Sequence, residues 1–184
     1  MSVKSELRKE LKLKRKLIHS LQTDNKICEN LICSDMYIHA KQILFYAALD
    51  DEINVDSCVN NALSLGKKVA FPRCSDDKGN MKFYYINSLN DLEEGFFGVR
   101  EPNENACQVT DFSDTVCIVP AISYDLLGYR LGYGKGYYDR FLQNCSLISV
   151  GLCYNKLISD KIPADKHDVP VNYIITESGV STVG

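Results

Sequence analysis

The chain has 184 residues, of which 45% are hydrophobic and 24% are charged. This composition is typical of a globular protein and argues against an intrinsically disordered chain. No apolar run approaches the roughly 20 residues that a membrane-spanning helix needs, and the first residues show no apolar signal region. The length suits one domain better than two, so we expect a single domain over residues 1–184.

Charge is distributed unevenly along the chain. Residues 1–16 hold seven Lys and Arg against two Glu, a net charge of +5, whereas the whole chain has a net charge of −3. The other residues therefore carry −8, which argues against nucleic-acid binding by the fold as a whole. A short basic arm and a local phosphate site both remain open as explanations of the basic N-terminus.

The eight cysteines predict reduced thiols rather than a disulfide framework. Most of them lie inside apolar runs, where a free cysteine behaves as a small hydrophobic residue. No C-x-x-C pair occurs, so neither a zinc ribbon nor a redox motif is indicated. This usage favours a cytoplasmic protein.

Hydrophobic periodicity predicts alternating helices and strands along the chain. The predicted helices cover residues 2–21, about 24–35, 55–65 and 137–143. The predicted strands cover residues 42–48, 67–72, 81–86, 116–120, 146–154 and 171–176, with Pro72 ending the second strand. Short apolar strands that alternate with helices indicate an α/β fold: a single domain with a mainly parallel central sheet flanked by helices.

A glycine-rich segment over residues 130–140 is the sharpest local signal. Gly132, Gly134 and Gly136 allow the backbone to turn tightly and to approach a ligand closely. The segment runs into a predicted helix N-terminus, which favours anions, and Lys135 adds a positive charge suited to phosphate. The spacing fits neither a Walker loop nor G-x-G-x-x-G. The pattern alone therefore leaves a phosphate site and a glycine-rich hairpin with a surface lysine as equal alternatives, and the clustering of Arg130, Lys135 and Arg140 slightly favours the phosphate site.

Several short segments occur in a specific order along the chain. They are Lys4-Ser5-Glu6-Leu7-Arg8, the strand 43–49 with Asp51-Glu52-Ile53, and residues 69–73, 98–102, 119–121 and 130–139. In this order they resemble the 5-formyltetrahydrofolate cyclo-ligase family over nearly the whole chain. The resemblance implies an ATP- and magnesium-dependent ligase that phosphorylates the formyl oxygen of 5-formyltetrahydrofolate. Attack by N10 on the activated carbon then gives 5,10-methenyltetrahydrofolate, ADP and phosphate.

The resemblance also implies roles for individual residues. It assigns ATP binding to Lys4, Ser5, Glu6, Leu7, Arg8, Arg130, Leu131, Gly132, Tyr133, Gly134, Lys135, Gly136, Tyr137 and Tyr138. It assigns substrate binding to Ala47, Glu52, Tyr133, Gly134, Lys135, Gly136 and Tyr137. Lys135 and Arg8 would be catalytic, and Asp139 and Asp168 would bind Mg²⁺. Tyr133 stands where animal members tend to have Arg and bacterial members often have Tyr.

Plainer interpretations apply to some of these residues. Glu52 also fits a surface loop acid beside Asp50 and Asp51, and Asp168 by itself fits a turn residue. The basic residues of the first helix other than Lys4 and Arg8 fit an ordinary solvated helix face. Four aromatic residues suit either core packing or stacking on the pterin and benzoyl rings of the substrate: Phe83, Tyr84, Phe96 and Phe97.

Two other classes of function compete with the ligase. One is a nucleic-acid-binding module that uses the basic N-terminal helix, and the other is a sugar- or acyl-phosphate isomerase that works without ATP. On the ligase hypothesis we expect a cytoplasmic monomer that acts on 5-formyltetrahydrofolate and ATP, with no nucleic-acid or membrane partner.

Overall fold

The computed structural model describes residues 3–74, 79–95 and 98–183. Its helices are α1 (Val3–Ile18), α2 (Leu21–Ile32), α3 (Asp35–His39), α4 (Asp56–Ser64) and α5 (Tyr137–Leu142). Its first strands are β1 (Gln42–Leu44), β2 (Lys68–Cys74), β3 (Met81–Ile86), β4 (Leu92–Glu94), β5 (Arg100–Pro102) and β6 (Thr115–Val119). They are followed by β7 (Ser123–Tyr124), β8 (Arg130–Leu131), β9 (Ile148–Leu152), β10 (Tyr173–Thr176) and β11 (Gly179–Thr182).

A seven-stranded sheet forms the centre of the fold, in the order β11-β10-β9-β6-β1-β2-β3. The strands from β10 to β2 are parallel to their neighbours, and only the two edge strands, β11 and β3, pair antiparallel. The predicted α/β fold with a mainly parallel central sheet is confirmed. Two further strand pairs, β4 with β5 and β7 with β8, lie outside this sheet.

The central strands are buried along their whole length. All three residues of β1 and all five of β6 are buried. Helices α2 and α4 contact each other and the sheet, α2 at β10 and α4 at β2. Coverage by helices explains why these strands are continuous apolar runs rather than alternating ones.

The order of the strands places a crevice at the middle of the sheet. After β1 the chain continues to β2 on one side, whereas the later strands β6, β9 and β10 lie on the other. The carboxyl ends of β1 and β6 are therefore adjacent at the point where the order reverses. Ligands of open α/β sheets bind at such switch points.

The boundaries of several elements differ from the predictions. The helix predicted over 2–21 ends at Ile18, and the helix predicted over about 24–35 begins at Leu21, because the Ser20 side chain accepts a hydrogen bond from the Thr23 backbone N–H and caps α2. The strand predicted to stop at Pro72 continues to Cys74. Pro72 is tolerated because β1 ends opposite Ala70, so that only β3 flanks this part of β2. Helix α3 and strand β11 were not predicted.

The cysteines agree with the prediction of unpaired thiols. All eight are free, and four of them are buried in the core: Cys28, Cys58, Cys117 and Cys153. Within the described ranges, no helix is long and apolar enough to cross a membrane.

Candidate active site

A cleft of about 540 Å³ opens at the carboxyl ends of β1 and β6. Parts of the chain that are distant in sequence form its walls: the first turns of α1, the segment after β1, the end of β2 with the start of β3, Val99 and Glu101, the glycine loop between β8 and α5, and residues 165–168. The cleft is also lined by the residues that come just after the ends of β1 and β6, namely Tyr46, Ala47 and Pro120. The cleft thus occupies the switch point of the sheet.

Lys4 and Arg8 contribute the first wall, one helical turn apart on α1. The Arg8 Nε donates a hydrogen bond of 2.7 Å to the Gly132 carbonyl oxygen. The Lys4 Nζ lies 2.8 Å from a carboxylate oxygen of Asp165 and 2.8 Å from one of Asp168. These contacts bring the N-terminal helix against segments more than 120 residues later in the chain.

The Lys4–Asp168 pair is charged at neutral pH. Burial alone would lower the pKa of Lys4, but its hydrogen bonds with Asp165 and Asp168 raise that pKa above its ordinary value. Burial alone would raise the pKa of Asp168, but the Lys4 ammonium and the Asp165 backbone N–H together hold that pKa below its ordinary value. Each group therefore favours the ionised form of the other.

The glycine loop takes the backbone shape that its composition predicts. Gly134 and Gly136 have φ angles of 94° and 70°, in the left-handed region that favours glycine. A Cβ atom at Gly134 would lie 3.3 Å from Nη2 of Arg8. Helix α5 follows the loop but has only six residues, so its dipole is short. The loop itself therefore forms this wall of the cleft.

An ion pair between Arg130 and Asp139, whose side chains are 6% and 22% exposed, connects the loop to residues 165–169. The Arg130 Nη2 approaches Asp139 Oδ1, and the Arg130 Nη1 donates 2.7 Å to the Val169 carbonyl. The Val169 N–H donates back to Asp139 Oδ1 over 3.0 Å. Asp139 and Asp168, predicted as magnesium ligands, are thus held near one another through a single short segment.

Asp139 and Asp168 both line the cleft. Two carboxylates suit a magnesium ion only when other ligands complete its coordination. Carboxylate oxygens are hard donors of the kind that Mg²⁺ prefers, and Mg²⁺ is commonly bound by one or two carboxylates together with phosphates and water. Across the described part of the chain, no group of three or more His, Cys, Asp or Glu is arranged to hold a metal. The pair therefore fits Mg²⁺ that arrives with phosphate groups.

Glu52 lies at the base of the cleft and is only 6% exposed. Its Oε2 accepts a hydrogen bond of 3.0 Å from the Leu49 backbone N–H, and its Oε1 accepts one of 2.6 Å from the Tyr133 hydroxyl. The interpretation of Glu52 as a surface loop acid is therefore wrong. Ala47, buried on the extended segment after β1, lies on the same side of the cleft.

Arg15 is a buried cation of α1, with only 3% of its side chain exposed. Its guanidinium donates to the Tyr133 hydroxyl over 2.8 Å and to Asp51 over 3.2 Å. The prediction that it belongs to the solvated face of the helix is wrong. Lys9, Lys14 and Lys16 are exposed, as predicted.

Comparison with known proteins identifies the family. The sequence model of the 5-formyltetrahydrofolate cyclo-ligase family matches residues 1–177. The chain belongs to this family. The resemblance drawn from the ordered segments is thus confirmed. The prediction that the protein is an enzyme, a ligase, is confirmed with it.

Curated members of the cyclo-ligase family align over almost the whole chain. The 5-formyltetrahydrofolate cyclo-ligase of Mus musculus is 25% identical over 191 residues, which cover 96% of this chain and 94% of the mouse protein. The enzyme of that name from Saccharomyces cerevisiae is 27% identical and covers 97% of each chain. The family model, which matches residues 1–177, spans every segment that lines the cleft.

A solved structure with the same fold supports the assignment. The NMR structure of Aquifex aeolicus 5,10-methenyltetrahydrofolate synthetase matches with a TM-score of 0.86 and 30% identity, covering 99% of this chain and 93% of that one. A Mycoplasma pneumoniae synthetase structure, 21% identical with a TM-score of 0.77, shares the fold.

Most residues predicted for the site do line the cleft. They are Lys4, Arg8, Ala47, Glu52, Arg130, Gly132, Tyr133, Gly134, Lys135, Gly136, Tyr137, Tyr138, Asp139 and Asp168. Four residues of the predicted ATP-binding set lie elsewhere: Ser5, Glu6, Leu7 and Leu131. Leu131 is buried in the hydrophobic core, and Leu7 packs against that core. Glu6 is exposed. Their neighbours, rather than their own side chains, reach the cleft.

Three residues at the site were missed by the sequence analysis: Arg15, Glu101 and Asp165. Arg15 had a signal, since it follows Leu11 by four residues on the side of α1 that packs inward. Glu101 is 7% exposed, lines the cleft and accepts a hydrogen bond of 3.3 Å from the Cys74 N–H. Glu101 had a signal too, since it belongs to the segment 98–102 that carries the family resemblance, whereas no local pattern distinguishes Asp165 from an ordinary surface acid.

The four aromatic residues that suited either core packing or substrate stacking lie in different places. Phe83 is 1% exposed and packs in the core against Phe141, with ring centroids 4.8 Å apart. Tyr84 is half-buried on β3 and is absent from the described cleft wall. Phe96 and Phe97 lie outside the described residues.

Proposed function

We propose that the chain is an ATP-dependent 5-formyltetrahydrofolate cyclo-ligase. The observation that carries the proposal is the meeting of two cationic segments at one cleft. Lys4 and Arg8 come from α1, Arg130 and Lys135 come from the glycine loop, and the buried carboxylate of Glu52 lies at the base. Family membership supplies the class of reaction, and this arrangement can bind a polyphosphate beside a ligand rich in N–H donors.

The proposed reaction has two steps. ATP transfers its terminal phosphoryl group to the formyl oxygen of 5-formyltetrahydrofolate, and ADP leaves. The N10 nitrogen then attacks the activated formyl carbon. The C–O bond breaks, phosphate leaves with the bonding electrons, and N10 loses its proton to give 5,10-methenyltetrahydrofolate.

The cations account for the first step of this proposal. Phosphoryl transfer needs neutralisation and alignment of negative charge more than it needs an enzyme nucleophile. Lys135 is exposed to the cleft and is assigned to the transferred phosphoryl group. Arg8, held by its hydrogen bond to Gly132, is assigned to the phosphates beside it. Lys4 and the loop 130–138 complete the proposed ATP site.

Asp139 and Asp168 are assigned to Mg²⁺, which would neutralise phosphate charge when bound. Arg130 and Lys4 pair with these two carboxylates. Nucleotide phosphates offer Lys4 an alternative anionic partner, which would leave Asp168 available. The two carboxylates and the cations beside them thus suit one ligand, a nucleotide that carries Mg²⁺.

Glu52 and Ala47 are assigned to the folate. A carboxylate can accept paired hydrogen bonds from the amino group and the ring N–H of a pterin. Both oxygens of Glu52 already accept one hydrogen bond and each retains a further lone pair. The loop from Tyr133 to Tyr137 borders both proposed ligands, as phosphoryl transfer between them requires.

We further propose that residues 1–184 act as one domain, as a monomer and in the cytoplasm. Residues from α1 to β10 share one hydrophobic core, and a single chain supplies every wall of the cleft. Small-molecule substrates then need no contribution from a partner chain.

The test is an assay for the methenyl product. Purified protein, Mg²⁺, ATP and 5-formyltetrahydrofolate should give a rise in methenyl absorbance that ATP omission abolishes. Turnover without ATP would instead support the isomerase alternative. Absence of product from folded, magnesium-supplied protein would contradict the proposal, and salt-dependent retention of DNA or RNA would then favour the nucleic-acid alternative.

A further inference from the structure

The buried position of Arg15 sets it apart from the other basic residues of α1. Burying a guanidinium is costly unless its donors are matched by acceptors. Arg15 donates from Nε to Asp51, from Nη2 to the Tyr133 hydroxyl, and from Nη1 to the Ala121 carbonyl over 3.3 Å. Its Nη1 is also 4.0 Å from Glu52 Oε1. The helix therefore inserts one cation against the base of the cleft.

The Tyr133 hydroxyl lies between Arg15 and Glu52. A hydroxyl has one proton to donate, and a guanidinium can only donate. The hydroxyl must therefore accept from Arg15, which directs its single proton to Glu52 Oε1, 2.6 Å away. Burial and the nearby Glu52 carboxylate raise the pKa of Tyr133, so the phenol keeps that proton at neutral pH.

Two donors hold the Glu52 carboxylate, one on each oxygen. The Leu49 N–H binds Oε2 and the Tyr133 hydroxyl binds Oε1. The backbone donor is independent of side-chain identity, whereas the hydroxyl donor depends on Arg15 for its direction. Lys12 secures the Tyr133 ring, with its Nζ 4.5 Å from the ring centroid.

We propose that Arg15 is a positioning residue of the folate site, acting through the Tyr133 hydroxyl to orient Glu52. It touches neither substrate. Its effect is to present both Glu52 oxygens as acceptors toward paired N–H donors of the pterin. This inference rests on the proposed function, because it takes Glu52 as the folate-binding group.

The test separates folate binding from nucleotide binding. Tyr133→Phe removes only the hydroxyl, and Arg15→Lys keeps the charge but loses the planar fork. Since a hydrogen bond to a charged group contributes enough to change affinity about tenfold, each variant should raise the KM for 5-formyltetrahydrofolate by about that factor. The KM for ATP should change by less than about twofold, because the Tyr133 hydroxyl is engaged by Glu52 and Arg15 and its removal leaves the backbone of the loop assigned to ATP unchanged.

Equilibrium binding of 5-formyltetrahydrofolate without ATP gives a readout independent of turnover. The Kd for folate should rise in parallel with its KM in both variants. The double variant should show little more than the effect of Tyr133→Phe alone, because both changes remove one interaction. Lys16→Gln, an exposed basic residue one position later on α1, is the matched control and should leave folate affinity unchanged.

Several outcomes would overturn the inference. They are an unchanged folate KM and Kd in Tyr133→Phe, an equal rise of the KM values for folate and ATP, and fully additive effects in the double variant. Circular dichroism identifies a variant that fails to fold. Should Arg15→Lys fail in this way, Arg15→Gln, which loses the charge but keeps an N–H donor, replaces it, and an unchanged folate Kd in that variant would overturn the role of Arg15. Wild-type protein that neither binds nor converts 5-formyltetrahydrofolate would instead refute the proposed function itself.

Discussion

The Lys4 ammonium lies 2.8 Å from the Asp168 carboxylate, although 164 positions separate the two residues in the chain. This contact joins the basic N-terminus to the acidic remainder of the protein. The uneven charge distribution therefore has a structural meaning, since Lys4 of the +5 segment pairs with two acids, Asp165 and Asp168, that line the same cleft.

Asp168 and Asp165 should differ in their effect on magnesium dependence. Asp168 is 26% exposed and is assigned to Mg²⁺, whereas Asp165 is 75% exposed and is not. Asp168→Asn should raise the Mg²⁺ concentration needed for half-maximal turnover about tenfold or more, since Mg²⁺ depends on few protein carboxylates. Asp165→Asn, which also contacts Lys4, is the matched control. Equal magnesium curves for the two variants would contradict the assignment.

Asp168 should also contribute stability that depends on pH. Its folded-state pKa is held below the ordinary value of 3.8, so its contribution is present above that pH. It is lost as the pH falls through the folded-state pKa. Urea unfolding of wild-type protein and Asp168→Asn from pH 7 to pH 2 should show a stability difference that shrinks below about pH 4. A difference that stays constant over this range would argue against the ion pair.

Lys135→Ala should abolish turnover and leave the fold intact. The side chain is exposed on the glycine loop, so its removal leaves no buried cavity. Loss of a cation from the transferred phosphoryl group should lower kcat by about 10²-fold or more. Single-turnover product formation measures the effect, with Lys156→Ala, exposed and away from the cleft, as the control. Near-normal kcat would refute the role assigned to Lys135.

Gly134→Ala should weaken ATP binding as well as stability. Its φ of 94° strains an alanine, and the new Cβ would lie 3.3 Å from Nη2 of Arg8. Gly66→Ala has a similar positive φ of 73° but meets nothing within 4 Å, so it isolates the backbone cost. Both variants should lose about 1 kcal/mol of stability. Only Gly134→Ala should raise the KM for ATP, and an equal rise in Gly66→Ala would assign the effect to general destabilisation.

Local patterns predicted the parts of the fold that depend on nearby residues. The buried strands follow from apolar runs such as 116–119, and the loop at Gly134 follows from glycine spacing. The break between the first two helices was predicted about three residues too late, because the Ser20 cap contributes only about 1 kcal/mol and competes with good helix formers on both sides. The continuation of β2 through Pro72 depends on β1 ending early, which is a fact about a neighbouring strand.

The sequence by itself determined the fold class, the family and most residues that line the cleft, because short-range periodicity and ordered motifs encode them. The tertiary structure alone decided which charges are buried. Lys16 and Arg15 are adjacent in a basic helix, yet only Arg15 meets Tyr133 and Asp51. Burial of a charge depends on partners supplied from 36 to 118 residues away. No spacing within the helix records where those partners will lie.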